Sequence, residues 1–218
     1  MSLSILVPIY NEINFLDIFI NKLIKNFKEE SVEYIFINDG SEDGCADWLS
    51  ENLPTLQINN YKYVNLESNK GKGFALREGL KLATCDYILF LDSDMEYDSK
   101  DGLEMYHIIK NNPKMQVLFG SRYLTGKIQH REYFINDIVT RFNTVLFNFL
   151  FSQSITDLHS GTKIISKKVL ERINLSINDF GFEIDISTQI AKNNFNIYEY
   201  GISYIARNYK QGKKITWI

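Results

Sequence analysis

Tyr87-Ile88-Leu89-Phe90-Leu91-Asp92-Ser93-Asp94-Met95-Glu96 is the stretch on which the fold turns. Its first five residues are an unbroken apolar run, the pattern of a strand buried on both faces. Three acids at alternate positions follow at once. A buried strand that ends in Asp-x-Asp brings carboxylates to the mouth of a sheet, where a hard divalent cation takes oxygen ligands and can grip a diphosphate. Read alone, the same stretch also fits a loop of three solvated acids, because short acidic motifs recur by chance.

Upstream, strands and helices alternate. Residues 3–7, 34–37 and 61–66 read as strands. Residues 14–27, 42–53 and 73–83 read as helices, the first with Phe15, Ile18, Phe19, Leu23 and Phe27 at helical spacing. Apolar strands separated by helices predict a mostly parallel sheet covered on both faces, an α/β fold. Ligands of such sheets sit at the carboxyl ends of the strands. Pro8, Asp39 and Asp92 each fall just past a predicted strand end, so they are expected to converge on one crevice.

Downstream, residues 117–119 read as a strand, 133–151 as a long helix, and 158–165 as a turn leading into a strand. Residues 183–193 read as a helix and 197–206 as a final strand. No repeat or linker interrupts the 218 residues, so one domain is expected over 1–218, with a donor half at about 1–98 and an acceptor half at about 99–218. The helix 133–151 is unusually apolar, and core packing is its expected use; a lipid surface or a partner helix is the other.

Composition narrows the classes. A hydrophobic content of 44% supports a sizeable core, and a formal net charge of −3 gives no global basic field for nucleic acid. Cys45 and Cys85 form neither a disulfide framework nor a metal pair, which points to a reducing cytosol. No signal peptide opens the chain, and no apolar run is long enough to span a bilayer.

Several short motifs carry chemistry, each with a plainer alternative. In Val7-Pro8-Ile9-Tyr10-Asn11-Glu12 the proline stops ladder pairing, leaving Tyr10, Asn11 and Glu12 on a loop to meet a base and ribose, or to cap the next helix. Asn38-Asp39-Gly40-Ser41 is a turn whose Asp39 either accepts from a nucleobase or closes the turn itself. Asn69-Lys70-Gly71-Lys72-Gly73 opens a helix with two glycines and two lysines, a setting for anions without the full P-loop spacing. Arg122, in Gly120-Ser121-Arg122-Tyr123, and Arg141 suit bidentate phosphate recognition if they face the crevice. In Asp157-Leu158-His159-Ser160-Gly161, Asp157 or His159 is a candidate general base for an acceptor hydroxyl. Arg207, Lys210, Lys213 and Lys214 form a basic run that would close over a pyrophosphate, rest on anionic lipid, or stay solvated.

Taken together and in order, these motifs resemble the family 2 inverting glycosyltransferases of GT-A fold. Gly120-Ser121-Arg122-Tyr123, Asp157 with Ser160-Gly161, Gly181-Phe182-Glu183, and Arg207 through Lys213 to Trp217 further resemble the dolichol- and polyprenyl-phosphate sugar synthases. The resemblance implies that Pro8, Tyr10, Glu12 and Asp39 hold the nucleoside of a UDP- or GDP-sugar, with Lys72 and Asp92 also on the donor side. It implies that Asp92 and Asp94 are the family's Asp-x-Asp, joined by Glu96 in binding Mg²⁺ or Mn²⁺. Arg122 and Arg141 would bind the acceptor phosphate, Arg207 and Lys213 would bracket the donor diphosphate, and Asp157 would orient the acceptor loop or act as base. The implied reaction is metal-dependent, inverting hexosyl transfer to a polyprenyl phosphate, cytoplasmic or peripheral at the cytoplasmic face of the membrane. Transfer to a sugar hydroxyl in surface polysaccharide synthesis is the alternative, and a non-catalytic nucleotide-sugar binder a further one. The chain departs from the subgroup at His159, Thr162 and Lys163, where a small hydroxyl residue, Phe and Arg are usual.

Overall fold

A computed structural model describes residues 1–56, 58, 60–124 and 126–207. Nine strands are seen among them: β1 (Leu3–Ile9), β2 (Val32–Asn38), β3 (Tyr61–Asn65), β4 (Tyr87–Phe90), β5 (Val117–Ser121), β6 (Gln129–His130), β7 (Lys163–Ser166), β8 (Tyr198–Gly201) and β9 (Tyr204–Ile205). The helices are α1 (Ile13–Phe27), α2 (Cys45–Asn52), α3 (Lys72–Leu82), α4 (Ser99–Asn111), α5 (Phe134–Phe151), α6 (Lys167–Leu170) and α7 (Phe182–Lys192). Seven strands form the main sheet in the order β3-β2-β1-β4-β7-β5-β8, with β7 antiparallel to both neighbours and the other pairings parallel. The expected mostly parallel, helix-flanked sheet is the one observed.

All seven residues of β1 and of β2 are buried, which explains why neither shows the alternation of a half-exposed strand. Odd-numbered β1 residues (Leu3, Ile5, Val7) pack with Leu16, Phe19 and Phe27 of α1 and with Met105 and Ile109 of α4. On the other face, Leu6 packs with Leu76 of α3 and Ile186 of α7. The first of these clusters runs from Leu3 to Ala206 and so draws on both expected halves.

Four features correct the expectations. Pro8 is not past the end of β1 but within it, in register with Ile37. Even-numbered residues there bond towards β4, as Leu6 does in accepting from Leu91 N. The β4 ladder has ended by that level, so the missing N–H of Pro8 costs no bond. Its carbonyl accepts from Ser93 Oγ instead, at 2.8 Å.

Helix α4 was not foreseen. Its polar start hides an apolar spacing at Gly102, Met105, Tyr106 and Ile109. Gly102 admits the sheet closely, since a Cβ there would stand 3.0 Å from Leu89 Cδ2.

The final strand is two pieces. β8 pairs with β5, the chain breaks at Ile202-Ser203, where Ser203 N donates to Asp101 Oδ2, and β9 pairs with β6.

Helix α5 is not core. Only Thr144 and Phe147 are buried, while Phe134, Phe142 and Phe149 are 77%, 64% and 81% exposed. The helix meets α7 and the 155–158 loop on one side only, so its opposite apolar side faces out.

Candidate active site

The carboxyl ends of β1, β2 and β4 open on one edge of the sheet, and the loops leaving them interlock. Asn11, at φ 50°, donates its N–H to Ser41 Oγ and accepts Glu42 N–H on Oδ1. Tyr10 lies half-buried at the head of this loop. Asp39 is buried, and its two oxygens accept Lys70 N–H and Gly71 N–H, both at 2.9 Å. It therefore shapes the glycine loop. Gly40, at φ +63°, presses against that loop: a Cβ would sit 2.2 Å from Ser68 backbone.

Lys72 begins α3 but turns into the protein. Its Nζ lies 2.6 Å from Asp92 Oδ1 and 2.9 Å from Glu183 Oε1, and Glu183 Oε2 in turn meets Lys163 Nζ at 2.6 Å. Burial disfavours the Lys72 charge, but Asp92 and Glu183 outweigh it and raise its pKa. Burial likewise opposes the Glu183 charge, and the two lysines hold its carboxyl below the usual range. Asp92 is thus one end of an alternating chain of four charges beneath the crevice. Gly161 closes over it, since a Cβ there would lie 2.1 Å from Asp92 Oδ2.

Asp94 and Glu96 lie on the other side. Glu96 accepts Tyr204 Oη–H and Arg207 N–H, each at 2.8 Å. Arg207 is buried and donates to both Glu12 oxygens, at 2.7 Å and 3.0 Å, while its Nη2 stands 3.8 Å from Asp94 Oδ2. Asp94 Oδ1 accepts Glu96 N–H. Burial, followed by the Glu96 and Asp92 carboxylates, pushes Asp94 up to about 7. Among the described residues, no group of three or more His, Cys, Asp or Glu is arranged to hold an ion by itself. The expected trio of Asp92, Asp94 and Glu96 does not gather round one point, because Lys72 draws Asp92 away and Tyr204 and Arg207 hold Glu96. The donor set still fits a hard cation: Asp94 keeps a 26%-exposed side chain and a raised proton affinity, and one or two carboxylates with substrate phosphates and water suffice for Mg²⁺-type binding.

Across the crevice, Asp157 is fully buried. It accepts Arg122 N, Nε and Nη2 at 3.0, 2.7 and 2.9 Å, and His159 N–H at 3.2 Å. Burial opposes its charge, but Arg122 holds the carboxyl below its ordinary range. This geometry suits orientation and not proton abstraction. His159 is no better placed as a base, because burial and then Arg122 depress its basicity.

Arg122 leads into a shallow pocket lined by Tyr123, Arg131, Asn136, Asp137 and Thr140. The guanidinium carbons of Arg131 and Arg141 lie 4.4 Å and 4.3 Å from the Tyr123 ring centre. Both arginines lean on Asp137, Arg141 through Nε at 2.9 Å and Arg131 through Nε at 3.4 Å. Arg131 and Glu183 have no role assigned from the sequence: Arg131 sits in a short polar stretch with no motif, and Glu183 stands in Gly181-Phe182-Glu183, which carries the resemblance without showing what the carboxylate pairs with. Lys213 lies outside the described residues.

Residues 4–173 match the Glycosyl transferase family 2 profile. The chain is 33% identical over 137 residues to a poly-beta-1,6-N-acetyl-D-glucosamine synthase of Staphylococcus epidermidis, covering 60% of this chain and 32% of the relative. It is 26% identical over 216 residues to a dolichyl-phosphate beta-glucosyltransferase of Dictyostelium discoideum, covering 93% of this chain and 66% of the relative. The chain thus spans between a third and two thirds of these relatives' lengths. Among solved structures, glucosyl-3-phosphoglycerate synthase of Mycobacterium tuberculosis with Mn²⁺, UDP and glucosyl-3-phosphoglycerate superposes with a TM-score of 0.73 at 16% identity, over 96% of this chain and 74% of that one. A Pyrobaculum calidifontis mannosyltransferase with GDP-mannose and Mn²⁺ superposes with a TM-score of 0.63 at 15% identity, over 93% and 56%. These structures share the GT-A fold with this chain. With the profile covering most of the sheet and the loops at its carboxyl edge, this chain belongs to glycosyl transferase family 2.

Proposed function

We propose that the chain transfers a hexosyl group, with inversion, from a UDP- or GDP-sugar to a polyprenyl phosphate, working against the cytoplasmic face of a membrane. The observation that carries this reading is the acceptor-side pocket. Arg122, Arg131 and Arg141 surround Tyr123; of the three carboxylates nearby, Asp157 and Asp137 are already engaged by those arginines, and Glu132 meets His130 Nε2 at 3.1 Å. A pocket rich in guanidinium groups and without a free base suits an acceptor that arrives already anionic. The similarity to a dolichyl-phosphate beta-glucosyltransferase over 93% of this chain points the same way.

In this mechanism a phosphate oxygen of the acceptor attacks the anomeric carbon, the C–O bond to the donor diphosphate breaks, and the nucleoside diphosphate departs with the electron pair. No proton need be removed. Arg122, held by Asp157, and Arg131 and Arg141 aim the nucleophile. Pro8, Tyr10, Glu12 and Asp39 form the nucleoside wall, Asp39 by shaping the 69–73 loop. Arg207 faces the departing diphosphate, and Lys72 fixes Asp92. Asp94, with Asp92 and Glu96 beside it, would hold the Mg²⁺ or Mn²⁺, which supplies charge neutralisation for the leaving group.

The similarity to a polysaccharide synthase favours a second reading, transfer to a sugar hydroxyl. That reaction requires a base, and the bonding of Asp157 argues against it in that role. Incubation with radiolabelled UDP-glucose, UDP-N-acetylglucosamine or GDP-mannose, Mn²⁺ and undecaprenyl phosphate tests the choice. Label in the organic extract is the expected result. Label only in glycan supports the second reading, and donor binding without transfer or hydrolysis overturns both.

A further inference from the structure

The outward side of α5 is an apolar stripe that the proposed chemistry does not use. Phe134, Ile138, Phe142, Val145, Leu146 and Phe149 recur every three or four residues, and each is at least 44% exposed. Ile135 and Leu150 widen the stripe, and Ile128, 78% exposed, lies just ahead of β6. Eighteen helical residues make α5 about 27 Å long, and the stripe runs along most of it. The charged residues of α5, Asp137 and Arg141, bond to each other away from it. A patch of this extent, uncharged and on one helix, marks an interaction surface.

Three observations choose its occupant. The stripe lies opposite the side of α5 that carries Asn136, Asp137 and Thr140 into the arginine pocket, so pocket and stripe share one helix. The cations at its edge outnumber their carboxylate in a chain whose net charge is −3: Arg122 and Lys127 are paired with Asp157 and with Asp101 and Glu104, while Arg131 and Arg141 share the single carboxylate of Asp137. The stripe is also rich in Phe and Leu, with guanidinium groups at its edge, the pattern of a helix lying in a membrane interface and not crossing it. No helix among the described residues is long and apolar enough to cross.

We infer that α5 lies flat in the headgroup region of an anionic bilayer, its stripe sunk among the acyl chains and Arg131 and Arg141 level with the lipid phosphates. The inference rests on the lipid-phosphate reading of the site, which it deepens by naming the face through which a membrane-bound acceptor reaches the pocket. The same surface would bring an acceptor phosphate to Arg122 while its hydrocarbon tail stays in lipid.

The test is co-sedimentation with vesicles that contain no prenyl phosphate, made of phosphatidylcholine alone or mixed with phosphatidylglycerol. The wild-type chain is expected to pellet with the anionic vesicles and much less with the neutral ones. A Phe142→Asp/Phe149→Asp variant should lose at least about tenfold in partition, since both rings leave the lipid. Its thermal midpoint should stay within a few degrees of wild type, because neither side chain packs in the core. Its transfer to a short-chain, water-soluble prenyl phosphate without vesicles should be unchanged. A wild-type chain that stays in the supernatant overturns the inference, as does a variant that binds vesicles as tightly as wild type. A dimer in sedimentation velocity that the variant dissociates, with no vesicle binding, assigns the stripe to a second copy and overturns it too. Vesicle binding needs no acceptor, and the short-chain assay needs no vesicle, so failure of one reading remains distinct from failure of the other.

Discussion

Arg207 donates two hydrogen bonds to Glu12 across 195 residues of chain, and the same guanidinium stands 3.8 Å from Asp94. The pair joins the loop after β1 to the end of β9 and sets a positive charge between that loop and the acidic motif. A departing diphosphate would meet this charge in place, without a costly rearrangement of solvent.

Glu12→Gln keeps the shape but removes the charge that steadies Arg207. A loss of about 1–3 kcal/mol in urea unfolding is expected for weakening a buried charge-assisted pair. The KM for donor should rise more than kcat falls. An unchanged unfolding midpoint together with unchanged kinetics would show that the pair holds nothing.

Asp94→Asn removes the more open carboxylate of the Asp-x-Asp pair. Transfer should fall by about 10²–10³-fold, the scale of losing one electrostatic contact to a developing charge. The thermal shift produced by donor should no longer depend on Mn²⁺. Near-normal turnover in this variant sinks the role given to Asp94.

Asp157→Asn separates orientation from base catalysis. If Asp157 positions Arg122, kcat with a lipid-phosphate acceptor drops by about 10²-fold from misplacement while the pH–rate profile keeps its shape. Loss of one limb of that profile would instead mark Asp157 as the proton acceptor.

Stability should depend on pH with two opposite signs. Asp157 and Glu183 are held below their ordinary values of 3.8 and 4.5, so their pairing stabilises fully above those values and is lost as pH falls through the lower folded ones. Asp94 is raised from 3.8 to about 7, so in metal-free protein its contribution declines as pH rises across that window. Urea midpoints measured without metal from pH 3 to pH 8 should therefore fall at both ends. Asp94→Asn should flatten the upper limb and leave the acid limb. A profile flat on the acid side would contradict the buried pairs.

Gly161→Ala places a methyl 2.1 Å from the Asp92 carboxylate. Overpacking of this kind costs about 1–3 kcal/mol, and it should also disturb the Lys72 contact to Asp92. A variant with wild-type stability and transfer rate would mean that the crevice floor is more yielding than its geometry indicates.

The regular half of the fold was legible because its signals are local. The runs at Ile5, Ile35 and Ile88 announce strands buried on both faces, and the Gly-rich and Asx-rich breaks between elements announce the edge where ligands sit. Helix α4 escaped because its polar first turn and Gly102 mask a short apolar spacing. The final strand was drawn too long because nothing in Tyr200-Gly201-Ile202-Ser203 signals that Asp101 captures the Ser203 N–H. The sequence hides the role of α5 for another reason: an apolar helix reads the same whether its stripe meets a core or faces outward.

From the sequence alone came the family, the layered α/β architecture and the strand edge at which Asp39 and Asp92 stand, because strand runs, turns and motif order are properties of neighbours along the chain. Only the tertiary structure decided which charge answers which: Lys72 to Asp92 and Glu183, Arg207 to Glu12, Arg122 to Asp157, with Arg131 brought in beside Tyr123. Most of these pairs join residues far apart in sequence, and each forms because burial makes an unpaired charge too costly to leave alone. That requirement fixes that partners exist, while the path of the backbone chooses them.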